Sequence, residues 1–383
     1  CDQIEREMRD PKAAERFALK QSQAFVDQME GFALELEDEL MNFSDVSYKS
    51  FVKSESEIIT LFYDKFADIP LLSRMDAVAE TFIDEIETLL NRDLPEEERI
   101  PLIEKFRKMY ETMDFYVLYN RFLKKEGYQT LPRRPLEKRK LRYEDVYPVL
   151  YLKYRLSRQA ERSNIKHLVI DEMQDYSRLQ YLIIRRMFSC KMTILGDRAQ
   201  TMADQQQDVL QFLPGIFGKD LRRIEMRKSY RNTVEIASYA ANLIGVTDLE
   251  LFERHGMPVL ERDVTDLEAA LREAVDTLFP EEKTYETAAV IVPDEKTAER
   301  AYLILREILA EKDFDCEKRL SWLNRDSSSF KKGLTVTTFY LAKGLEFDQV
   351  FSIFPKDEKR EMMMQAQYIA ATRALHELRV YHI

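Results

Sequence analysis

Residues 165–175, with the sequence IKHLVIDEMQD, constrain the fold of this chain more than any other stretch. A short apolar run ends abruptly in two adjacent carboxylates, Asp171 and Glu172. An apolar run of this length predicts a strand that is buried on both faces of a sheet. Acids at the carboxyl end of such a strand suit Mg²⁺ binding and activation of a water. Taken alone, the two acids are better explained as solvated residues at a strand end. The motifs that follow in the sequence decide whether they have a functional role.

The composition indicates an ordered globular protein of two or three domains. The chain has 383 residues, of which 45% are hydrophobic and 33% charged, and it contains no apolar run of membrane-spanning length. Its cysteines, Cys1, Cys190 and Cys316, are far apart, which predicts no disulfide framework and a cytoplasmic location. The net charge of −11 argues against a broadly basic surface for nucleic acid, although local basic patches remain compatible with one.

Residues 1–160 are predicted to be almost entirely helical. Apolar side chains recur there at steps of three and four residues, as in helices that bury one face. The stretches with this spacing are 17–43, 78–90 and 101–122. Their aromatic and methionine side chains are best explained as core, and no cluster in this region suggests catalysis.

A basic run follows this helical region. Its cations are Arg133, Arg134, Lys138, Arg139, Lys140 and Arg142. Such a run is either a solvated linker or a contact for phosphate groups or an acidic protein, and the sequence does not decide between them. Asp145 is predicted to cap the helix that comes next.

From residue 165 onwards, short apolar strands alternate with amphipathic helices, which predicts an α/β fold. Strands are expected at 165–170, 192–195, 221–226, 288–292, 334–338, 350–354 and 378–381. Helices are expected at 179–188, from 233 onwards, and at 295–310 and 362–375.

Two polar motifs follow the acid pair at positions where a nucleotide site needs them. GDRAQ comes directly after a predicted strand, and its Gln200 is placed to touch a γ-phosphate or the attacking water. SYRN sets Tyr230 beside Arg231. A guanidinium binds phosphate oxygens in a bidentate way, and a tyrosine ring stacks on a base.

Two further motifs lie near the end of the chain. LAKGLEFD contains Gly344, which allows close approach of a ligand, and Glu346, which is suited to a ribose hydroxyl. YIAATRA carries Arg373 on a helix. Two arginines directed at a transferring phosphoryl group would stabilise its charge. Each arginine alone would more often be a surface salt-bridge residue, so the argument rests on the ordered set.

In this order the motifs resemble those of superfamily 1 helicases of the UvrD/Rep kind. DEMQD resembles their motif II, GDRAQ motif III, SYRN motif IV, LAKGLEFD motif V and YIAATRA motif VI. The resemblance covers residues 163–383. It implies RecA-like P-loop NTPase lobes, each a parallel sheet with flanking helices, that close on ATP and Mg²⁺.

The resemblance also implies a role for eight residues. The catalytic set would be Glu172 as the base, Gln200 as the γ-phosphate sensor, and Arg231 and Arg373 as arginine fingers. The nucleotide-binding set would be Asp171 on Mg²⁺, Tyr230 on adenine, Gly344 close to the ligand and Glu346 on the ribose.

The sequence departs from this family pattern in three places. It contains no phosphate-binding loop of the form G-x-x-x-x-G-K followed by Ser or Thr, since Gly218-Lys219 is followed by Asp220. The chain alone is therefore expected to be inactive, and the loop is expected upstream of Cys1 in a longer protein. Aromatic residues that stack on single-stranded DNA do not follow Gln200, and Tyr340 replaces a histidine.

A helical segment before motif II, no large insertion between motifs IV and V, and an acidic chain resemble the HelD branch. Its members are bacterial ATPases that bind RNA polymerase and release it from nucleic acid. The expected domains are a helical insert over 1–160, the end of the first lobe over 161–225, and the second lobe over 226–383. A DNA helicase or translocase of repair or replication, and a non-catalytic interaction module with a helicase fold, are the alternatives.

Overall fold

The computed structural model describes residues 11–158, 164–197, 209–226, 228–246, 250–282, 284–312, 314–324, 332–356 and 361–383. The chain divides into two compact units. The described residues of the first unit lie between 11 and 195 and between 209 and 221. Those of the second unit are 196–197 and the described residues from 222 to 383.

The first unit consists mainly of helices, as the apolar spacing predicts. The helices are α1 Pro11–Gln21, α2 Gln23–Glu39, α3 Glu55–Thr60, α4 Leu71–Leu90, α5 Glu96–Arg107, α6 Phe115–Lys125, α7 Tyr143–Leu156, α8 Arg178–Met187 and α9 Val209–Phe217.

Two of the predicted helical stretches are each divided into two helices by a capping side chain. The hydroxyl of Ser22 accepts a hydrogen bond from the amide of Phe25 and begins α2. The carboxylate of Asp114 accepts hydrogen bonds from the amides of Tyr116 and Val117 and begins α6. Such side chains satisfy amides that a helix start leaves without partners, so a new helix begins at each of them.

A short antiparallel hairpin interrupts the helices, which the sequence analysis did not anticipate. Its strands are β1 Val46–Tyr48 and β2 Phe51–Lys53. Both strands contain β-branched or aromatic residues, which favour extended backbone. Lys49, in the turn between them, has a φ of 53°.

A buried ionic cluster joins α1 to α7. Lys20 donates to the carboxylate of Asp145, and the hydroxyl of Tyr119 donates to the same carboxylate at 2.7 Å. Asp145 is fully buried and lies in the first turn of α7, whose N-cap is Arg142. The prediction that Asp145 caps this helix is therefore wrong, because Lys20 and Tyr119 bind its carboxylate.

The acid pair follows a strand in a small parallel sheet. Strand β3 His167–Ile170 pairs with β4 Lys191–Ile194. Ile170 packs in a core with Tyr181 of α8, but Val169 on the opposite face is 61% exposed. The prediction of burial on both faces is wrong for β3, because within the described residues helices of this unit cover one face only.

The second unit is built on a six-stranded sheet in which all pairs are parallel. Its strands are β7 Leu260–Asp263, β8 Thr287–Val292, β9 Leu320–Trp322, β10 Gly333–Thr338, β11 Phe347–Phe354 and β12 Ala374–His382, in the order β7-β12-β11-β8-β10-β9. Its helices are α10 Val234–Leu243, α11 Leu267–Asp276, α12 Glu295–Ala310, α13 Cys316–Arg319 and α14 Glu361–Thr372.

This sheet confirms the predicted α/β fold class, a parallel sheet with flanking helices that is consistent with a RecA-like lobe. Strands β8, β10 and β11 supply buried side chains such as Val290, Val336 and Phe351, which pack against α11 and α12. Near-continuous apolar strands of this kind are expected when both faces of a parallel sheet are covered.

One predicted strand is absent from the described residues. Residues 221–226 form no strand, and the side chains of Ile224 and Met226 are exposed. A two-residue pair, β5 Lys228–Ser229 with β6 Glu250–Leu251, follows instead. The strand prediction for 221–226 is wrong because no strand that the structure describes pairs with this segment, in which Arg222, Arg223 and Glu225 lie between apolar residues.

The helices that the structure describes include none with the length and apolar composition that a bilayer crossing requires.

The buried cluster generates a prediction about stability. Replacing Lys20 by Met leaves the buried Asp145 carboxylate without its cation, and we expect a loss of about 3–5 kcal/mol in the free energy of unfolding. Adding Asp145→Asn should recover most of this loss, because the neutral amide oxygen still accepts from Tyr119. Urea denaturation measures the free energy of unfolding of the single and the double variant.

A matched control is Lys125→Met in the same unit, since Lys125 pairs with Glu35 at the surface. Exposed pairs contribute less than about 1 kcal/mol. Equal losses from Lys20→Met and Lys125→Met would contradict the account of the cluster.

Candidate active site

The acid pair lies on a strained backbone at the end of β3. Asp171 is exposed, and its Oδ1 accepts a hydrogen bond from the amide of Glu172 at 2.8 Å. Glu172 has φ 53° and ψ 51°, which is the left-handed region that residues other than glycine rarely adopt. Strain of this kind is concentrated at functional sites, where the surrounding structure holds it in place.

The turn after the acid pair is fixed by several hydrogen bonds. The amide of Met173 donates to the carbonyl of Leu195, and the hydroxyl of Tyr181 donates to the carbonyl of Met173 at 3.1 Å. The buried Gln174 donates from its Nε2 to the Glu172 carboxylate at 2.6 Å. Gln174 thus orients the Glu172 carboxylate. The sequence analysis assigned no role to Gln174, because its position within the DEMQD motif was the only feature that distinguished it.

In the second unit, three motifs that are distant in sequence meet around Asn232. Its buried side-chain amide donates to the carbonyls of Thr372 at 3.2 Å and Ala374 at 2.7 Å. The amide of Phe347 donates to the carbonyl of Arg373 at 2.9 Å. Three consecutive residues of YIAATRA therefore accept hydrogen bonds from the other two motifs. Thr372 and Ala374 accept from SYRN, and Arg373 accepts from LAKGLEFD.

Two residues with implied ligand roles contact each other at this junction. The Nε of Arg231 lies 2.6 Å from Oε1 of Glu346, and each side chain is close to half exposed. An ion pair this exposed contributes little to stability. Both groups therefore remain accessible to a ligand that binds more strongly.

Arg373 is placed differently from Arg231. Its side chain is 1% exposed, and its guanidinium donates to the carbonyls of Ile369 and Leu345 and to the hydroxyl of Thr372. These bonds lie within the second unit. They fix the guanidinium between α14 and the segment that leads into β11.

Tyr230 presents an exposed ring, and a second aromatic ring supports it. Tyr230 is 59% exposed, and its ring centroid lies 5.5 Å from that of Phe252, which follows β6. The Nζ of Lys228 lies 5.5 Å from the Tyr230 centroid and 5.8 Å from the Phe252 centroid. The pairing of β5 with β6 brings the rings of Tyr230 and Phe252 together. Phe252 belongs to none of the sequence motifs, so this contact could not be predicted.

The backbone around Gly344 is open. Gly344 has a φ of +81°, and among the residues that the structure describes none other than its chain neighbours has an atom within 4 Å of the position that a Cβ would occupy. Nearby, Asp348 accepts hydrogen bonds from the amides of Glu286 and Thr287 and from the Thr287 hydroxyl, all at 2.9 Å. Asp348 therefore ties β11 to the start of β8, while Gly344 leaves space for a ligand.

The carboxylate of Glu235, to which the sequence analysis gave no role, fixes the start of α10. The Glu235 carboxylate accepts from Nδ1 of His255 at 2.9 Å and from the amide of Gly256 at 2.8 Å, and these bonds lower its pKa to about 2. A Cβ at Gly256 would lie 2.6 Å from Cγ2 of Thr233, so only glycine fits there. The guanidinium of Arg254 donates to the carbonyl of Arg231 at 2.8 Å.

The residues present can be compared with the needs of ATP and Mg²⁺. The described part of the chain contains no group of three or more His, Cys, Asp or Glu side chains that could hold a metal ion by itself. Mg²⁺ in nucleotide sites uses one or two carboxylates, with phosphates and waters completing its shell, which the exposed Asp171 fits. Gln200 lies outside the described residues.

A family model described as UvrD/REP helicase N-terminal domain matches residues 3–202, just over half of the 383-residue chain. No curated protein matches the sequence.

Several solved helicase structures are similar to parts of the chain. The C-terminal domain of a possible DNA helicase from Lactobacillus plantarum is 23% identical over 40% of this chain and 88% of its own, with a TM-score of 0.31. The PRRSV helicase is 14% identical over 70% of this chain and 45% of its own, with a TM-score of 0.32. Arterivirus nonstructural protein 10 (helicase), in complex with DNA, is 13% identical over 57% of this chain and 40% of its own, with a TM-score of 0.29.

The junction at Asn232 yields a prediction with an internal comparison. Asn232→Ala removes two buried hydrogen bonds and should lower the free energy of unfolding of the second unit by about 1–3 kcal/mol. Glu346→Gln removes only an exposed ion pair and should change it by less than about 1 kcal/mol. Denaturant unfolding followed by circular dichroism measures both. If Glu346→Gln proves as destabilising as Asn232→Ala, the assignment of Asn232 as the structural link is wrong.

The Glu235 carboxylate generates a prediction about pH. Its folded pKa of about 2 lies below the ordinary value of 4.5, so the folded protein binds fewer protons than the unfolded chain between these values. Its stabilising contribution is thus complete above pH 4.5 and is lost as the pH falls towards 2. We expect the stability difference between the parent and Glu235→Gln to shrink over this range in urea titrations. Glu253→Gln, which removes another exposed carboxylate, serves as control. An equal change in both variants would contradict the assignment of the effect to Glu235.

Proposed function

The chain belongs to the UvrD/REP helicase N-terminal domain family, and from this premise we propose that it forms part of the ATP-hydrolysing site of a superfamily 1 motor. The observation that carries the proposal is the junction at Asn232, which joins three of the five motifs. Hydrogen bonds hold SYRN, LAKGLEFD and YIAATRA together although they are distant in the sequence.

The local geometry of Asp171 and Glu172 supports the role proposed for each, and the role proposed for Gln200 rests on its motif alone. The exposed Asp171 holds Mg²⁺, which when bound would offset the charge of the phosphates. Glu172, oriented by Gln174, accepts the proton of the attacking water. Gln200 contacts the γ-phosphate or that water. These assignments place the acid–base chemistry in the first unit's strained turn.

The second unit supplies the nucleotide contacts in this proposal. Tyr230 stacks on the adenine through its exposed face, and Glu346 accepts from a ribose hydroxyl close to the open backbone at Gly344. Arg231 and Arg373 stabilise the charge that develops on the phosphoryl group. The exposed Arg231 is free to exchange its Glu346 partner for a phosphate, while Arg373 is held in a fixed position.

The sequence contains no phosphate-binding loop, and we propose that this chain alone does not turn over ATP. Activity is expected when such a loop is present in the same protein. Nucleotide turnover should accordingly be measured on the chain by itself and on any longer product of its gene that contains such a loop.

We further propose that the motor is of the HelD type and releases bacterial RNA polymerase from nucleic acid. Two observations support this finer assignment. Helices α2 to α7 precede β3 and pack in one core, to which Leu179 and Ile183 of α8 also belong. The described residues between Tyr230 and Gly344 belong to the second unit itself rather than to an inserted domain. A DNA helicase or translocase is the second candidate, favoured by the description of the matching family.

The catalytic assignment predicts the behaviour of two variants of the full gene product. Glu172→Gln should abolish ATP turnover while leaving nucleotide binding intact, because it removes the base and keeps the shape. Arg231→Ala should lower the rate about a thousandfold, the usual effect of removing an arginine finger. Arg272→Ala, an exposed arginine of α11, is the control and should leave the rate unchanged. Retained turnover in Glu172→Gln would remove that residue from the role of base.

A second measurement separates the two candidate functions. With the full gene product and ATP, the HelD assignment predicts release of stalled RNA polymerase from a DNA template and no unwinding of a tailed duplex. Unwinding of the duplex without any effect on RNA polymerase would show that the helicase alternative is correct.

A further inference from the structure

The basic run identified in the sequence forms an exposed loop on the first unit. We define the basic loop as residues 132–142, between α6 and α7. It contains six cations and one carboxylate, Glu137, in a chain whose net charge is −11. So strong a local excess of positive charge in an acidic protein calls for a physical explanation.

The basic loop is held to the first unit by its backbone and by two of its arginines. The hydroxyl of Tyr116 donates to the carbonyl of Pro132 at 2.7 Å. Arg139 pairs with Asp114, and its Nε donates to the carbonyl of Arg134 at 3.0 Å. Arg142 donates to Oε1 of Gln129 at the same distance. The loop is therefore ordered before any partner binds, which lowers the entropy cost of binding.

Four cations of the basic loop remain available to a partner. They are Arg133, Arg134, Lys138 and Lys140. All four are exposed, and their side chains make no ion pair or hydrogen bond with any residue that the structure describes. Two arginines thus anchor the loop, while the other four cations face solvent.

We propose that the basic loop is a sequence-independent contact for the phosphate backbone of duplex nucleic acid. A strand carries one negative charge per nucleotide, and neutralising its phosphates releases counterions, which favours binding. The proposal concerns a different surface from the ATP site and needs no nucleotide.

The surroundings of the loop argue against two other partners. An acidic protein would need an apolar or aromatic contact patch, whereas Leu136 is the main exposed apolar side chain between the four cations. Binding of a single strand relies on free aromatic rings, but the Tyr116 ring is covered by the Arg139 guanidinium at 4.8 Å. A duplex requires neither feature, because its backbone is read by charge alone.

The test compares two variants of the 383-residue chain with equal changes in charge. The loop variant carries Arg133→Glu, Arg134→Glu and Lys138→Glu. The control variant carries Lys296→Glu, Arg300→Glu and Arg306→Glu, which are exposed positions on α12. Binding of a fluorescent DNA duplex of about 20 base pairs is followed by anisotropy between about 50 and 200 mM salt.

We expect the loop variant to lose about a hundredfold in affinity at the lowest salt, and the slope of log K against log salt to fall by about three. The control variant should bind within about threefold of the parent, since distant exposed charges are screened. Replacement of the same three loop residues by Gln should give an intermediate loss. Unchanged thermal unfolding of each variant shows that the fold is intact.

Three results would overturn the proposal. Equal losses in the loop and control variants would show that only net charge matters. Tighter, loop-dependent binding of a single strand than of the duplex would assign the loop to the wrong nucleic acid. Displacement of the duplex by polyglutamate at equal charge concentration would indicate an acidic protein partner. None of these outcomes depends on ATP turnover, so they are separate from the test of the proposed function.

Discussion

The hydrogen bonds of Asn232 are the constraint on which the second unit's site depends. One buried amide binds the carbonyls on either side of Arg373, and the carbonyl of Arg373 itself accepts from Phe347. A buried amide left without these partners would lose more free energy than the bonds contribute, so the arrangement is strongly specified. The side chains that would contact a ligand, Arg231 and Glu346, follow from that backbone arrangement.

Each unit combines buried, hydrogen-bonded groups with accessible ones. Arg373 and Gln174 are buried and hydrogen-bonded, whereas Tyr230, Arg231 and Asp171 are exposed. Buried partners position neighbouring groups, and exposed groups can exchange their contacts for a ligand. The left-handed backbone at Glu172 belongs to the same pattern, because its strain is held by hydrogen bonds on both sides of the turn.

Sequence reasoning succeeded where periodicity or motif order carries the information. Strands β8 and β10 and helix α12 appear within a residue of their predicted bounds, because apolar spacing reflects burial directly. The motif order also led to the fold class and the family. Capping by Ser22 and Asp114 is local in sequence, and it was overlooked because the apolar stripe continues across both positions.

The remaining features could not be predicted because they depend on contacts between distant residues. Within the described residues, helices of the first unit cover the face of β3 opposite Val169, and the carboxylate of Asp145 binds Lys20 and Tyr119, which are distant in sequence. The support of Tyr230 by Phe252 likewise requires the pairing of β5 with β6. A single sequence contains no signal for such contacts.

We expect SYRN, LAKGLEFD and YIAATRA, which hydrogen bonds join in the second unit, to bind one nucleotide together. Hydrogen–deuterium exchange of the full gene product, with and without a non-hydrolysable ATP analogue and Mg²⁺, tests this expectation most directly. We expect the analogue to slow exchange together at 229–232, 344–347 and 372–375. Slower exchange in one of these segments alone, or in none of them under saturating analogue, would contradict the account.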